Sequence, residues 1–153
     1  MEVLLAKPDC TCVYWAQWMG KPLGILTEDL HRKLLFNAMK LYQTMLPERR
    51  CAVSPDGAQG VELLAGGDQQ RVGVPIWKLN GAARTVTVRL EPLPFHAGAL
   101  QVFRIDAHHS SYLDDAASET LTACERYFAD GEVVSWTGEV PDERLVFLSV
   151  ARD

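Results

Sequence analysis

The sequence predicts a mainly β protein: an antiparallel β-sandwich of about seven strands with an N-terminal strand-helix appendage. Before Pro47, apolar residues recur at the three- to four-residue spacing of an amphipathic helix. From Arg49 they alternate with polar residues instead, and turn signals separate the alternating runs. We therefore divide the chain of 153 residues into a strand–helix unit at 1–47 and a sandwich domain at 48–153.

The N-terminal unit is predicted to contain two extended pieces and one helix. The aromatic segment 12–19 and the segment 23–27 favour extended structure. Either Thr27 or Asp29 can cap the helix that follows, and Pro47 ends it. The apolar face of this helix is formed by Leu30, Leu34, Ala38, Leu41, Tyr42 and Met45. We expect that face to pack on the sandwich or on a second chain.

Seven strands are predicted after the helix. They cover about 50–54, 60–66, 71–78, 84–91, 99–106, 132–137 and 143–151. The clearest alternation places Val86, Val88 and Leu90 on one face, which indicates an antiparallel sheet with one buried side. Turn signals between the strands are Pro55-Asp56-Gly57, Gly66-Gly67-Asp68 and Asn80-Gly81.

Two places depart from the strand pattern. Pro75 cannot donate a ladder hydrogen bond, so we expect it at a sheet edge or a bulge. Residues 107–131 interrupt the alternation, and Asp114 or Asp115 can cap a short helix there. The inner face of that helix would be formed by Ala117, Leu121, Cys124 and Phe128. Trp77 and Trp136 are expected in the sandwich core.

Composition excludes several classes of protein. Apolar residues make up 48% of the chain, enough for a packed core, and the formal charge of −5 disfavours nucleic acid as a partner. No run of 18 apolar residues predicts a membrane span, and the first residues do not resemble a signal peptide. The four cysteines form no CxxC pair, so we predict reduced thiols in a cytoplasmic protein with no metal site and no cofactor.

Three stretches carry a resemblance to a known family. Ala38-Met39-Lys40-Leu41-Tyr42 resembles the end of the last barrel helix in clan-A glycoside hydrolases, and 72–80 resembles the segment that opens their accessory sandwich. The segment 102–112 is similar to a motif of family-39 glycoside hydrolases, which include β-xylosidases and α-L-iduronidases. The motif falls on Arg104, Asp106, His109, Ser110 and Tyr112. Ser111 stands where the family has asparagine.

This resemblance implies a sandwich that lies beside a catalytic (β/α)8 barrel. Such a barrel needs roughly 200 residues, whereas 1–47 corresponds only to a terminal barrel β/α unit. The family's two catalytic glutamates lie on earlier barrel strands, so no catalytic residue is assigned here. The chain alone is therefore not expected to be an enzyme; as part of one, it would belong to a β-xylosidase-like O-glycosyl hydrolase.

Two groups of side chains are open to a second interpretation. Tyr14, Trp15 and Trp18 are candidate substrate-binding residues because an aromatic face stacks on a sugar ring. The other interpretation, which we favour, is that such side chains cover apolar surface left by the missing barrel or fill a core. Asp106, His108 and His109 could form a metal cluster or an acid–base pair. The alternative, which we favour, is that the motif ties a long loop to the sheet by hydrogen bonds.

Three functions follow as hypotheses. The leading one is a non-catalytic accessory sandwich, with a glycosidase barrel chain or a second copy of itself as partner. The second is a subunit or fragment of a split xylosidase-like glycosidase. The third is a carbohydrate-binding module.

Overall fold

The computed structural model describes residues 24–54, 56, 60–78, 80–106, 108–110, 116–142 and 144–153. These contain one α-helix, α1 (Leu34–Met45), and one 3-10 turn, Ala116–Ser118. The strands are β1 (Val61–Leu63), β2 (Gly66–Gly67), β3 (Arg71–Lys78), β4 (Arg84–Leu90), β5 (Ala97–Ile105), β6 (Ala123–Gly131), β7 (Val134–Val140) and β8 (Arg144–Arg152). The extended piece predicted at 12–19 lies outside the described residues.

The strands form two antiparallel sheets. The larger sheet has the order β1-β3-β8-β5-β6, and β2 pairs with β3 beyond the end of β1. The smaller sheet is the β4–β7 pair. The predicted mainly β, antiparallel fold class is confirmed. The division at residue 47 stays a prediction.

One hydrophobic core fills the space between the two sheets. Val74 and Ile76 of β3 and Val146 of β8 point into it, because alternate residues of a strand share one face. Trp136 of β7 lies in the same core, as predicted. A Cβ atom on Gly138 would come within 2.2 Å of the Trp136 indole, so the ring fits there only because residue 138 is glycine.

A second apolar cluster lies on the opposite face of the large sheet, under α1. Leu41 of the helix packs there with Phe103 of β5 and Phe147 of β8. The C-terminal end of α1 lies directly on sheet backbone: a Cβ atom on Gly73 would be 2.4 Å from the carbonyl oxygen of Met45. The helix therefore packs on the sandwich within this chain, and the described residues form three layers.

The start of the helix was predicted wrongly. The amide of Thr27 donates to the carbonyl of His31 at 2.9 Å, and the Thr27 hydroxyl accepts from the His31 amide at 2.9 Å. Thr27 thus closes a turn and does not cap a helix. Leu30 lies in this turn with a φ of 68° and is 63% exposed, so it is not part of the buried stripe. The helix begins only at Leu34.

The helix predicted within 107–131 was also wrong. Among the residues of that range that the structure describes, only the 3-10 turn Ala116–Ser118 is helical, and from Ala123 the chain is strand β6, paired with β5. The predicted caps Asp114 and Asp115 lie outside the described residues. Phe128, predicted on an inner face, is 85% exposed. Residues of β6 whose spacing suggested a helix therefore form a strand. The neighbouring strand β5 supplies hydrogen-bond partners for the backbone of β6.

Smaller differences concern turns and Pro75. Arg50 forms a single bridge to Gly66, but 50–54 is not a strand. The turn lies at Asp68, one residue after β2, where its side chain accepts from the amides of Gln70 and Arg71.

Pro75 lies in an interior strand and not at an edge. Its carbonyl accepts from the Leu64 amide at 3.2 Å, so its missing N–H faces the break between β1 and β2. Trp77 is buried, but by strand alternation it lies on the face opposite Ile76, beside Leu145, and not in the inter-sheet core.

No helix in the described part is both long and apolar enough to span a bilayer. The cytoplasmic location stays a prediction.

Candidate functional site at the helix–sandwich junction

The predicted motif begins at the end of β5 and forms a tight turn. The amides and carbonyls of Asp106 and His109 bond each other, at 3.1 and 3.3 Å. The Asp106 carboxylate accepts from the His108 amide at 2.9 Å and lies 2.7 Å from Nδ1 of His109. One carboxylate therefore fixes both the backbone and a side chain of this turn.

Asp106 is held in its ionised form. Its partial burial acts to raise the pKa, but the hydrogen bonds from the His108 amide and the His109 ring outweigh that effect. The charges of His109 and Arg104 act in the same direction, so the pKa of Asp106 lies below its ordinary value. A carboxylate in this state suits structural anchoring better than proton donation.

Arg104 connects the two sheets. Its guanidinium lies 3.0 Å from Oε1 of Glu125 on β6 and donates to the Glu139 carbonyl on β7 at 3.0 Å. Partial burial acts to raise the pKa of Glu125, but hydrogen bonds from Tyr127 and Arg104 hold it below the ordinary value. The arginine thus joins β5, β6 and β7 at one end of the sandwich.

Ser110 connects the motif to the helix. It is 3% exposed with a φ of 63°, and its hydroxyl donates to the Arg104 carbonyl at 3.0 Å. The side-chain amide of Asn37 on α1 donates to the Ser110 carbonyl at 2.7 Å and to the Glu119 carbonyl at 2.9 Å. Because Asn37 is fully buried, its bond to Ser110 is shielded from water, whereas the bond to Glu119 is only partly buried.

Glu119 attaches the turn before the helix to the same loop. Its carboxylate accepts from the Arg32 amide at 2.8 Å and lies 3.1 Å from Nδ1 of His31. The Arg32 amide, followed by the His31 ring, holds the pKa of Glu119 below its ordinary value. Three chain segments, the turn at 27–32, helix α1 and the loop that follows β5, therefore meet in one hydrogen-bonded junction.

The structure brings four of the predicted site residues together: Arg104, Asp106, His109 and Ser110. Their hydrogen bonds lead to other protein groups, which is the arrangement of a loop anchor. Tyr112, Tyr14, Trp15 and Trp18 lie outside the described residues, and their roles stay predictions. Within the described part no group of three or more His, Cys, Asp or Glu side chains is placed to hold a metal ion.

Sequence reasoning missed Asn37, Glu119 and His31. A signal for Asn37 existed, because a polar residue interrupts the apolar face of the helix between Leu34 and Leu41. Glu119 gave no such signal, since its partners at the junction lie more than 80 positions earlier in the chain.

A cleft of about 550 Å³ opens between the sheets on the side away from the junction. Its lining combines the charged residues Arg49, Arg89, Glu91 and Asp68 with apolar residues that include Leu93. Glu91 is paired with Arg89, and Asp68 is engaged in its own turn. Cys51 is an exposed free thiol at the cleft, which the sequence did not single out.

The sequence matches no family model and no curated protein. Solved structures do match in fold. The GH39 enzyme from Xanthomonas axonopodis pv. citri aligns with a TM-score of 0.67 and 15% identity, over 86% of this chain and 32% of the enzyme. A glucosidase from Croceicoccus marinus aligns with a TM-score of 0.64 and 17% identity, over 86% of this chain and 34% of that one.

A monomeric β-xylosidase from Caulobacter crescentus CB15 aligns with a TM-score of 0.56 and 20% identity. That match covers 85% of this chain and 33% of the xylosidase. The chain thus spans about a third of the length of the solved structures it matches. The predicted resemblance to clan-A glycoside hydrolases is confirmed at the level of fold.

Proposed function

We propose that this chain is a non-catalytic sandwich module that packs beside the catalytic barrel of a β-xylosidase-like glycoside hydrolase. The observation that carries the proposal is the asymmetric fold match, which takes in most of this chain and about a third of each enzyme. The barrel belongs either to the same polypeptide or to a separate chain.

The carboxylates of the junction support a structural role. A retaining glycosidase needs two carboxyl groups about 5–5.5 Å apart, one of them a general acid with a raised pKa. Asp106, Glu119 and Glu125 all have lowered pKa values, because hydrogen-bond donors and positive side chains stabilise the charged form. At neutral pH these groups have no proton to donate.

An activity assay tests the absence of catalysis. We expect the purified chain to release no phenol from aryl β-D-xylosides or aryl β-D-glucosides above the spontaneous rate. Glu125→Gln and Asp106→Asn serve as matched controls. Hydrolysis by the chain that either substitution abolishes would contradict the proposal.

Nucleotide sequencing on both sides of the coding segment tests the partner. We expect it to encode a (β/α)8 barrel with two glutamates, in frame or as a neighbouring reading frame. Unfolding of that barrel is then compared with and without this chain, and we expect the chain to raise its melting temperature. A barrel that is equally stable alone would contradict an accessory packing role.

Carbohydrate binding is a second candidate, supported by the cleft between the sheets and by the sugars named for the matched xylosidase and glucosidase. Titration calorimetry with xylo-oligosaccharides tests it. If Trp18 stacks on the sugar, Trp18→Ala abolishes binding whereas Trp18→Phe, which keeps an aromatic face, retains it. Unchanged binding in Trp18→Ala would exclude this residue from the site.

A further inference from the structure

The cleft between the two sheets has walls that backbone hydrogen bonds hold in place. On the side of the large sheet, the Arg49 carbonyl accepts from the Gly67 amide at 2.9 Å. On the side of the small sheet, the Leu93 amide donates to the Glu132 carbonyl at 2.9 Å. The volume of about 550 Å³ lies within the range of about 300–1,000 Å³ that is typical of small-molecule sites. Such sites are usually formed before the ligand arrives, and this cleft meets that condition.

The floor of the cleft is apolar. Ala65, Val72 and Leu93 line it and are buried, and all three belong to the core between the sheets. A ligand in the cleft would therefore touch the margin of this core. Any apolar part of the ligand that lies there would leave water, which favours binding in proportion to the area covered.

The rim of the cleft has an excess of positive charge. The described residues of its lining include three arginines and two carboxylates, whereas the whole chain has a formal charge of −5. Both carboxylates already accept hydrogen bonds: Asp68 from two amides of its own turn, and Glu91 from Arg89. A local positive charge in an acidic protein attracts anions to this place on the surface.

Arg49 is the arginine of this rim that is available to a ligand. Its side chain is exposed, and within the described part of the chain no ion pair or hydrogen bond engages its guanidinium. By contrast, Arg50 donates to the Pro47 carbonyl at 2.9 Å, and Arg89 is paired with Glu91. A guanidinium binds a carboxylate through two parallel hydrogen bonds, so Arg49 can supply both charge and direction.

We propose that this cleft binds a small organic acid, with its carboxylate on Arg49 and its apolar body on Val72 and Leu93. An inorganic anion would leave the apolar floor uncovered, and a neutral molecule would leave the positive charge unmatched. The inference does not rest on the packing of a barrel, because it uses only the cleft. It differs from the carbohydrate candidate in requiring a negative charge on the ligand.

Titration calorimetry with a matched pair of probes tests the ligand class. 4-Phenylbutyrate and its amide have the same hydrocarbon skeleton and differ in charge. We expect the carboxylate to bind at least about tenfold more tightly than the amide, since a charge-assisted hydrogen bond is stronger than a neutral one. Acetate and inorganic phosphate, which lack the apolar body, should both bind more weakly than 4-phenylbutyrate.

Substitution of Arg49 tests the site. Arg49→Gln should weaken binding of 4-phenylbutyrate about tenfold and leave binding of the amide unchanged, whereas Arg49→Lys keeps the charge and should lose less. Arg126→Gln, on β6 and outside the cleft, removes the same charge from the chain and is the matched control. Circular dichroism checks that each variant is folded.

Four results would overturn the inference. One is the absence of 4-phenylbutyrate binding at millimolar concentrations. The second is binding of the amide or of phosphate that is as tight as that of the carboxylate. The third is equally tight binding of neutral xylotriose, which would assign the cleft to the carbohydrate candidate. The fourth is unchanged binding of 4-phenylbutyrate by Arg49→Gln.

Discussion

Asn37 shows at the scale of one residue how the helix and the loop hold each other. It is fully buried on α1, where its neighbours Leu34, Ala38 and Leu41 are apolar. Its side-chain amide satisfies the carbonyls of Ser110 and Glu119 at the same time. A buried carbonyl without a hydrogen-bond donor has lost its bonds to water and gained none in the protein, which destabilises the folded state. Asn37 stabilises the junction chiefly because it supplies that donor.

Replacement of Asn37 by leucine keeps the number of side-chain heavy atoms and the branch at Cγ but removes both donated bonds. We expect Asn37→Leu to lower the free energy of unfolding by about 2 kcal/mol, measured by urea denaturation. The control is Asn80→Ala, at an exposed position before β4, which should change it by less than about 0.5 kcal/mol. Equal effects of the two substitutions would contradict the role given to Asn37.

The lowered pKa values predict the direction of acid sensitivity. A carboxyl whose folded pKa lies below its unfolded value contributes stability above the unfolded pKa, and that contribution disappears as the pH falls through the folded pKa. For Asp106 and Glu119 the loss therefore begins as the pH falls through about 4 to 4.5, their ordinary range, and continues below it. Asp106→Asn should flatten the dependence of the urea midpoint on pH in that window. An unchanged slope would show that Asp106 does not carry the effect.

At the scale of elements, the contact between α1 and the large sheet depends on two glycines. A Cβ atom on Gly66 would lie 2.3 Å from the Pro47 carbonyl oxygen, and one on Gly73 would lie 2.4 Å from that of Met45. Both obstacles are backbone atoms, which cannot turn away as a flexible side chain does. The helix end and strands β2 and β3 therefore approach as closely as they do only because side chains are missing there.

Gly73→Ala should separate the helix from the sheet. We expect the free energy of unfolding to fall by about 2 kcal/mol or more, as for other overpacked sites. Hydrogen exchange should show faster exchange of the α1 amides than of the β4–β7 amides. Ser135→Ala, exposed on β7, is the control. Protected α1 amides in Gly73→Ala would contradict the close approach.

The sequence predicted an element correctly where its apolar residues recur with a single period. The alternation at 84–90 and the helical spacing from Leu34 to Met45 each matched the structure, because burial of one side places apolar residues at a regular spacing. The helix predicted within 107–131 failed because Cys124 and Phe128 belong to a strand, and its pairing with the distant strand β5 leaves no signal in the local spacing. At the site, the motif Arg104 to Ser110 was visible, but Glu119 and Asn37 are joined to it by folding and not by spacing.

At the scale of the whole molecule, strand β8 belongs to both cores. Phe147 points toward α1, whereas Val146 and Leu148 point toward the small sheet. The outer cluster and the inter-sheet core therefore share one backbone. Loss of packing on either side weakens the strand on which the other side depends.

The shared strand predicts one cooperative unfolding transition. Leu41→Ala, at a fully buried position on α1, should lower the free energy of unfolding by about 2–5 kcal/mol. The helical signal in circular dichroism and tryptophan fluorescence should still shift together. A helix that melts first, while the sandwich transition stays in place, would show that the layers are independent.

The position of β8 also has a consequence for the order of assembly. It is the last of the described strands along the chain, yet it lies between β3 and β5, which it joins into one sheet. Until β8 is present, the strands of the large sheet form two separate groups, β1 to β3 and β5 with β6. Only β8 joins these two groups, so we expect a chain that stops before Arg144 to expose unpaired strand edges and apolar surface and to aggregate.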